Sequence, residues 1–227
     1  YDTDRRPLRV TYPEGNAVEY AYDARGNVTT VTQKAKPGSG LADLVTSIDY
    51  PVTCTNRVTC NQPTSVTAPD GGVTVYQYDN THGGVKRISL PPVDGLTPVN
   101  QVRYAAQTAR FYSAEGQLTD ASSSIFLPVR SFMCIVGGTC SQNPEHVRES
   151  RFEYGLPGQA NNLQLTDIYQ EIRDGSESLH TQVSYNALGD VVSTDGPLPG
   201  SYDTGFYQYD ALRRQTHMAG PDPDGAG

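Results

Sequence analysis

The stretch AYDARGNVTTVT occupies residues 21–32, and a near-copy, SYNALGDVVSTD, occupies residues 184–195. Each runs from a tyrosine through a small polar residue and two free positions to a glycine and then a β-branched run. Tyr22 ends an alternating segment, AVEYAYD, in which Val18, Tyr20 and Tyr22 fall on one strand face. Asp23 opens a turn by accepting a backbone N–H two residues on. Ala24 and Arg25 fill the turn, and Gly26 supplies the positive φ that closes a type I turn with a bulge. The other half of the unit stands in APDGGVTVYQYD, residues 68–79: a Pro-Asp-Gly turn, then an alternating strand ending in Tyr78-Asp79. Two strands and two turns make a unit of roughly 20–30 residues, too small to be stable alone, and edge-to-edge stacking of such units is the remedy.

Composition agrees with many short strands. The 227 residues hold 22 Gly, 16 Pro, 15 Tyr and no Trp, with 36% hydrophobic residues, a mix that disfavours long helices. A formal charge of −8 provides no basic stripe for phosphates, which argues against a nucleic-acid partner. No run approaches the ~18 apolar residues that would cross a bilayer as a helix. No initiator Met and no signal peptide precede Tyr1, so the sequence reads as an excised segment or a processed product, which leaves export open, with residues 1–227 expected to be one repeat segment of a larger protein.

Tyrosines at strand–turn junctions recur at Tyr1, Tyr22, Tyr50, Tyr78, Tyr112, Tyr154, Tyr185 and Tyr209, 21 to 42 residues apart. YDARGNV, YSAEGQL, YGLPGQA and YNALGDV place glycine four residues after tyrosine, at Gly26, Gly116, Gly158 and Gly189; YDNTHGGV delays it to Gly83. The unit recurs although its period does not. YDARGNVTTVT, YDALRRQT and PDGGVTVYQYD resemble the YD-repeat, or Rhs-repeat, family, which includes Rhs polymorphic toxins, wall-associated toxin proteins, insecticidal toxin-complex C components and teneurins. The resemblance covers essentially the whole chain. It implies an all-β fold in which antiparallel hairpin repeats form a curved ribbon, part of a spiral shell, and in the toxins that shell encloses a C-terminal effector.

The repeat-motif residues are thus Tyr1, Asp2, Tyr22, Asp23, Gly26, Tyr78, Asp79, Tyr112, Gly116, Tyr154, Gly158, Tyr185, Gly189, Tyr209 and Asp210. Arg5 and Arg213 stand where glycine is expected, so those turns must differ or accept strain. Tyr50 is followed by Pro51 and Tyr154 by Gly155, and residues of about 81–151 are degenerate, as longer hairpins or insertions would be.

Cys54 and Cys60 bracket TNRVT, and Cys134 and Cys140 bracket IVGGT. Two local disulfides are the first reading, because extended strands joined by a tight turn bring Cα atoms within the ~5.5 Å a disulfide needs. Four free thiols and a zinc site are the alternatives, the latter against the usual spacing of about two to four intervening residues and without a nearby histidine. Disulfides would place the segment outside the cytosol. His82, His146, His180 and His217 are scattered, and no G-x-S-x-G nucleophile context exists. GPDPDGAG, residues 220–227, resembles a DPxGL autoprotease block only superficially and reads better as a Pro-Asp-Gly turn that stops the chain in mid-unit. LADLVTSIDY, residues 41–50, fits a helical template through Leu41, Leu44, Val45 and Ile48, but its β-branched residues favour a strand. Asn27-Val28-Thr29 matches a glycosylation sequon and reads as a strand start; the acidic residues lack calcium-loop spacing.

These residues predict no catalytic site, cofactor or metal, hence a structural role rather than an enzyme. The expectation is a repeat-shell segment of a secreted or cell-surface bacterial protein, with neighbouring repeats of the parent chain and an enclosed toxin domain as partners. The rival is a carbohydrate-binding or adhesive module that stacks exposed tyrosines on glycans.

Overall fold

The computed structural model describes residues 1–134, 147–172 and 178–221. Among them every regular element is a strand, and fifteen strands pair antiparallel in chain order, each with its sequence neighbours. The described chain is therefore all-β, built from successive hairpins. Contacts divide it into two compact units, one of Tyr1–Gln101 and the other of Val102–Cys134 with the described residues that follow.

The first unit holds β1 (Arg9–Thr11), β2 (Ala17–Tyr22), β3 (Val28–Lys34), β4 (Leu44–Asp49), β5 (Ser65–Thr67), β6 (Val73–Tyr78), β7 (Val85–Ser89) and the start of β8 (Val99–Tyr112). Residues 44–49 are extended, as their β-branched content predicts. Register explains the alternation. Val10, Val18, Gln33 and Leu44 oppose one another on one side, followed along the strands by Tyr20 and Val31, then by Ile48, Val66 and Thr74, then by Tyr76 and Ile88. Arg9, Glu19 and Thr32 line up on the other side, where the Arg9 guanidinium donates to Glu19 at 2.7 Å. One face is thus rich in Val, Ile and Tyr and the other in Thr, Ser and charge.

The second unit holds the rest of β8, β9 (Leu118–Cys134), β10 (Val147–Tyr154), β11 (Leu165–Ile172), β12 (Ser178–Tyr185), β13 (Val191–Asp195), β14 (Gly205–Tyr209) and β15 (Gln215–Ala219). At 14 and 17 residues, β8 and β9 are much longer than the other strands. Phe132, Cys134 and Val147 form a small buried cluster where β9 meets β10, with the Arg103 guanidinium 5.0 Å from the centre of the Phe132 ring. Hydrophobic burial is sparse. Among the described residues only Ala17, Cys60, Val99, Phe132, Cys134 and Val147 are buried hydrophobics, while Leu44 and Phe206 are about half exposed at 51% and 52%. Cross-strand hydrogen bonds and paired side chains therefore carry more of this fold than a central core does.

Candidate functional site

The features that recur along the chain are its turns. At Asp23 the carboxylate Oδ1 accepts the N–H groups of Arg25 at 2.9 Å and Asn27 at 2.8 Å, so one side chain satisfies two turn amides. The Gly26 N–H donates to the Asp23 carbonyl at 3.0 Å, and Gly26 takes φ 87°. Asn186 does the same with its amide oxygen, accepting from Leu188 and Asp190, both at 2.9 Å, ahead of Gly189 at φ 85°. Ser113 is a weaker version: its hydroxyl accepts from Glu115 at 3.3 Å and Gln117 at 3.4 Å, before Gly116 at φ 73°. In the Asp79 turn the delayed glycine is Gly83, and the extra residue His82 accepts the Gly84 N–H on Nδ1 at 3.1 Å.

Asp2 and Asp210 build the same five-residue turn although arginine replaces glycine. Asp2 Oδ1 accepts from Asp4 and Arg6, at 3.0 and 2.8 Å, and Asp210 Oδ1 accepts from Leu212 and Arg214, at 2.8 and 2.9 Å. Arg5 and Arg213 sit in the left-handed region at φ 63° and 64°. The turn survives and the strain is accepted, which settles the alternative posed by the sequence. Arg5 makes no ion pair among the described residues, so Arg5→Gly is expected to raise stability by about 1 kcal/mol, strain relief outweighing the added freedom of the unfolded chain. Urea denaturation measures it; a destabilised variant would contradict the strain.

Electrostatics follow the turn amides. The backbone N–H and then the guanidinium of Arg214 hold the Asp210 carboxyl below its usual range. At Asp79 the Thr81 N–H does this against the opposing effect of burial. Burial pushes the Asp23 carboxyl upward, but its bonds to Asn27 and Arg25 prevail and the net direction is down.

The tyrosines that end the strands reach backwards. The hydroxyl of Tyr22 donates to the Pro7 carbonyl at 2.9 Å, Tyr78 to Pro63 at 2.8 Å, Tyr154 to Pro128 at 2.7 Å and Tyr185 to Leu165 at 2.7 Å. In the first two the clasp continues the ladder, because the Tyr20 and Tyr76 N–H groups donate to Leu8 and Thr64, one residue further on. Segments 7–23 and 63–79 match position by position, sharing Pro, Val-Thr, Pro, Gly, Tyr and Tyr-Asp. Burial raises the phenols of Tyr78, Tyr154 and Tyr185 above their usual value.

Other motif residues stand differently. Tyr1 is 87% exposed ahead of the first turn, Tyr112 is 66% exposed at the end of β8, and Tyr209 ends β14. Gly158 has φ 85°, but the connection there spans residues 155–164, closed by the Gly155 N–H donating to the Gln164 carbonyl at 2.8 Å. Within it lies Asn162, a residue without any sequence signal and only 8% exposed. Its Oδ1 accepts the Arg110 N–H at 2.8 Å and its Nδ2 donates to the Thr108 carbonyl at 2.8 Å, so the amide pairs with β8 as another strand would. His180 lies flat on Tyr169, ring centres 4.3 Å apart, and contacts Asp167 Oδ1 through Nε2 at 2.8 Å.

Cys54 and Cys60 form a disulfide with Cα atoms 4.8 Å apart, which removes the free-thiol and zinc alternatives for this pair. Its setting corrects the expectation of extended strands: the bond lies in the connection between β4 and β5, where the Cys60 N–H donates to the Asn56 carbonyl at 2.9 Å and winds one tight turn. Cys134 ends β9; its expected partner Cys140 lies outside the described residues, as do His146 and residues 222–227 of the C-terminal motif. No cluster of three or more His, Cys, Asp or Glu residues suited to a metal ion occurs among the described residues, nor does a helix long and apolar enough to cross a membrane.

Hairpins joined by Asp- or Asn-capped turns and stitched by backward-reaching tyrosines define a tandem β-hairpin repeat protein of the Tyr-Asp type. Residues 1–36 match the family described as RHS Repeat, in line with the resemblance carried by the Tyr-Asp motifs. In fold it is similar to the crystal structure of TcdB2-TccC3, with a TM-score of 0.51 at 14% identity over 90% of this chain. The chain spans only 9% of that protein's length. A porin-like protein from Bacteroides uniformis aligns over 92% of both chains at 14% identity, with a TM-score of 0.26 that supports no relation. No curated protein matches the chain.

Proposed function

We propose that this chain is a non-catalytic stretch of the wall of a YD-repeat shell, belonging to an exported bacterial protein that encloses a C-terminal toxin effector. Neighbouring repeats of the same parent chain pair with it on either side. The observation that carries the reading is the incomplete burial of the Val, Ile and Tyr face in the first unit. There Leu44 remains 51% exposed and Val10 39% exposed, although both lie on the apolar side of the sheet. Hairpins that satisfy one another edge to edge but leave an apolar face uncovered suit a wall that faces a cargo. The Cys54–Cys60 disulfide favours an oxidising compartment and hence export.

Limited proteolysis of the full-length parent protein tests this. The effector should resist digestion in the intact protein and become sensitive when the tyrosine clasps are removed by Tyr22→Phe and Tyr78→Phe together. An effector digested equally fast in both forms overturns encapsulation. A second reading, glycan binding, draws on a groove of about 700 Å³ beside Tyr12, Glu14, Asn16 and Lys36, where the tyrosine is 46% exposed. Saturable binding of one glycan class on an array, lost with Tyr12→Ala, would favour it over a purely structural wall.

A further inference from the structure

Three times along the chain, a residue one to three positions ahead of a strand touches the glycine of a later turn. Gln62 Nε2 donates to the Gly83 carbonyl at 3.0 Å, and Gln164 Nε2 donates to the Gly189 carbonyl at 3.1 Å. Arg6, which closes the first turn, lies over Gly26. A Cβ added to Gly189 or Gly26 would meet the incoming nitrogen first, at 2.6 Å from Gln164 and 2.7 Å from Arg6, closer than real Cβ atoms come; at Gly83 it would meet Val58 Cγ1 at 2.8 Å as well as Gln62 Nε2 at 2.9 Å. The next residue in each case, Pro63, Leu165 or Pro7, accepts the tyrosine hydroxyl of the same later hairpin. Each contact is therefore a two-point latch from one hairpin to the next.

The fourth instance runs the other way. Asp190 closes the Asn186 turn, and the residue at the left-handed position of the following turn is Arg213. The Arg213 guanidinium reaches back with Nε and Nη2 to Asp190 Oδ1, at 2.8 and 2.6 Å, and the carboxylate is only 9% exposed. At this turn glycine and the donor ahead of it are absent together, and the polarity of the pair is inverted.

We propose that this pair of positions is a recognition code between successive repeats. A long donor, Arg or Gln, accepts only a glycine-type turn after it; a carboxylate accepts an arginine-type turn. Glycine in the first class serves twice, for its positive φ and for the space its missing Cβ leaves to the donor. The code also names the partners the chain fits. Arg214 grips Asp210 Oδ2 at 2.7 Å as Arg6 grips Asp2 Oδ2 at 2.6 Å, so it suits a neighbouring repeat with glycine at the left-handed position. Arg5 suits a repeat that closes on Asp. The code stands on turn geometry and goes beyond the shell reading; its failure would leave encapsulation untouched, and the reverse.

Two measurements test it. Gly116 has φ 73° but nothing within 4 Å of a built Cβ, so Gly116→Ala reports the backbone cost alone. Gly189→Ala should lower the melting temperature by several degrees more. Equal losses would mean that φ alone selects glycine and would overturn the code. In the second, Asp190→Gln and Arg213→Gly should each lower the melting temperature, and the double variant should recover most of both losses as a new donor–glycine pair. Single losses that simply add in the double variant refute a code. Because the alanine comparison uses different variants, it decides the matter even if the exchanged pair fails to fold.

Discussion

Replacing Asn162 by alanine is expected to destabilise the second unit by about 2–4 kcal/mol. The amide fills a site where the Arg110 N–H and the Thr108 carbonyl both face the 155–164 connection rather than another strand. Alanine leaves that half-buried donor and acceptor without partners, each costing about 1–3 kcal/mol when water is kept out. The connection is held further by the Asn161 N–H donating to the Arg110 carbonyl at 3.1 Å and by Arg110 Nη1 donating to the Gly158 carbonyl at 3.0 Å. Asn162→Asp keeps the acceptor but loses the donor, so it should be only partly better than alanine. Urea denaturation read by tyrosine fluorescence measures both, and a loss below about 1 kcal/mol for alanine would mean that water replaces the amide.

Alkaline unfolding is the second large expected effect. Burial raises the phenols of Tyr78, Tyr154 and Tyr185 in the folded chain, so the unfolded chain releases these protons first. Their contribution is complete below the ordinary phenol value of about 10 and is lost as pH rises through the higher folded values. The chemistry agrees with the sign: a phenolate cannot donate to the carbonyls of Pro63, Pro128 and Leu165. Melting temperature should therefore fall steeply above about pH 10. The triple Tyr→Phe variant should lose about 1 kcal/mol per hydroxyl at neutral pH and show a shallower alkaline fall. An unchanged alkaline profile in that variant would remove the hydroxyls from the account.

Much of this was legible in the sequence because the turn chemistry is local. Asp23, Asn186 and Gly26 announce a capped, left-handed turn through residue type and spacing alone, and the alternation ahead of Tyr22 and Tyr78 gives strand and register together. Within residues 41–50 the stretch 44–49 is a strand as expected, since β-branched content outweighed a helical spacing of leucines. The destinations of the tyrosine hydroxyls were not legible. Their acceptors are main-chain carbonyls, which any residue offers, and only the repeated proline at 7, 63 and 128 hints at them. Asn162 was invisible for a related reason: an asparagine in QANNLQL looks like any loop residue until the bare edge of β8 is seen beside it. The setting of Cys54 and Cys60 was misjudged because equal spacing fits a hairpin and a wound loop alike. Arg5 and Arg213 show that spacing can outrank residue type: the capping aspartate fixes the turn, and arginine submits to it.

The inverted pair at Asp190 and Arg213 bears on how such chains change over generations. Tandem repeats are prone to unequal crossing-over, which joins the front of one hairpin to the back of another. A junction that set Asp190 before a glycine-type turn would leave a nearly buried carboxylate with Asn186 but no cation, and one that set Gln164 before Arg213 would crowd two donors together. Exchange would then succeed mainly between hairpins of the same latch class, or when both partners travel on one segment of DNA. Inherited in this way, the wall would gain or lose hairpins in matched blocks, and each lineage would carry at its turns a readable record of which junctions were permitted.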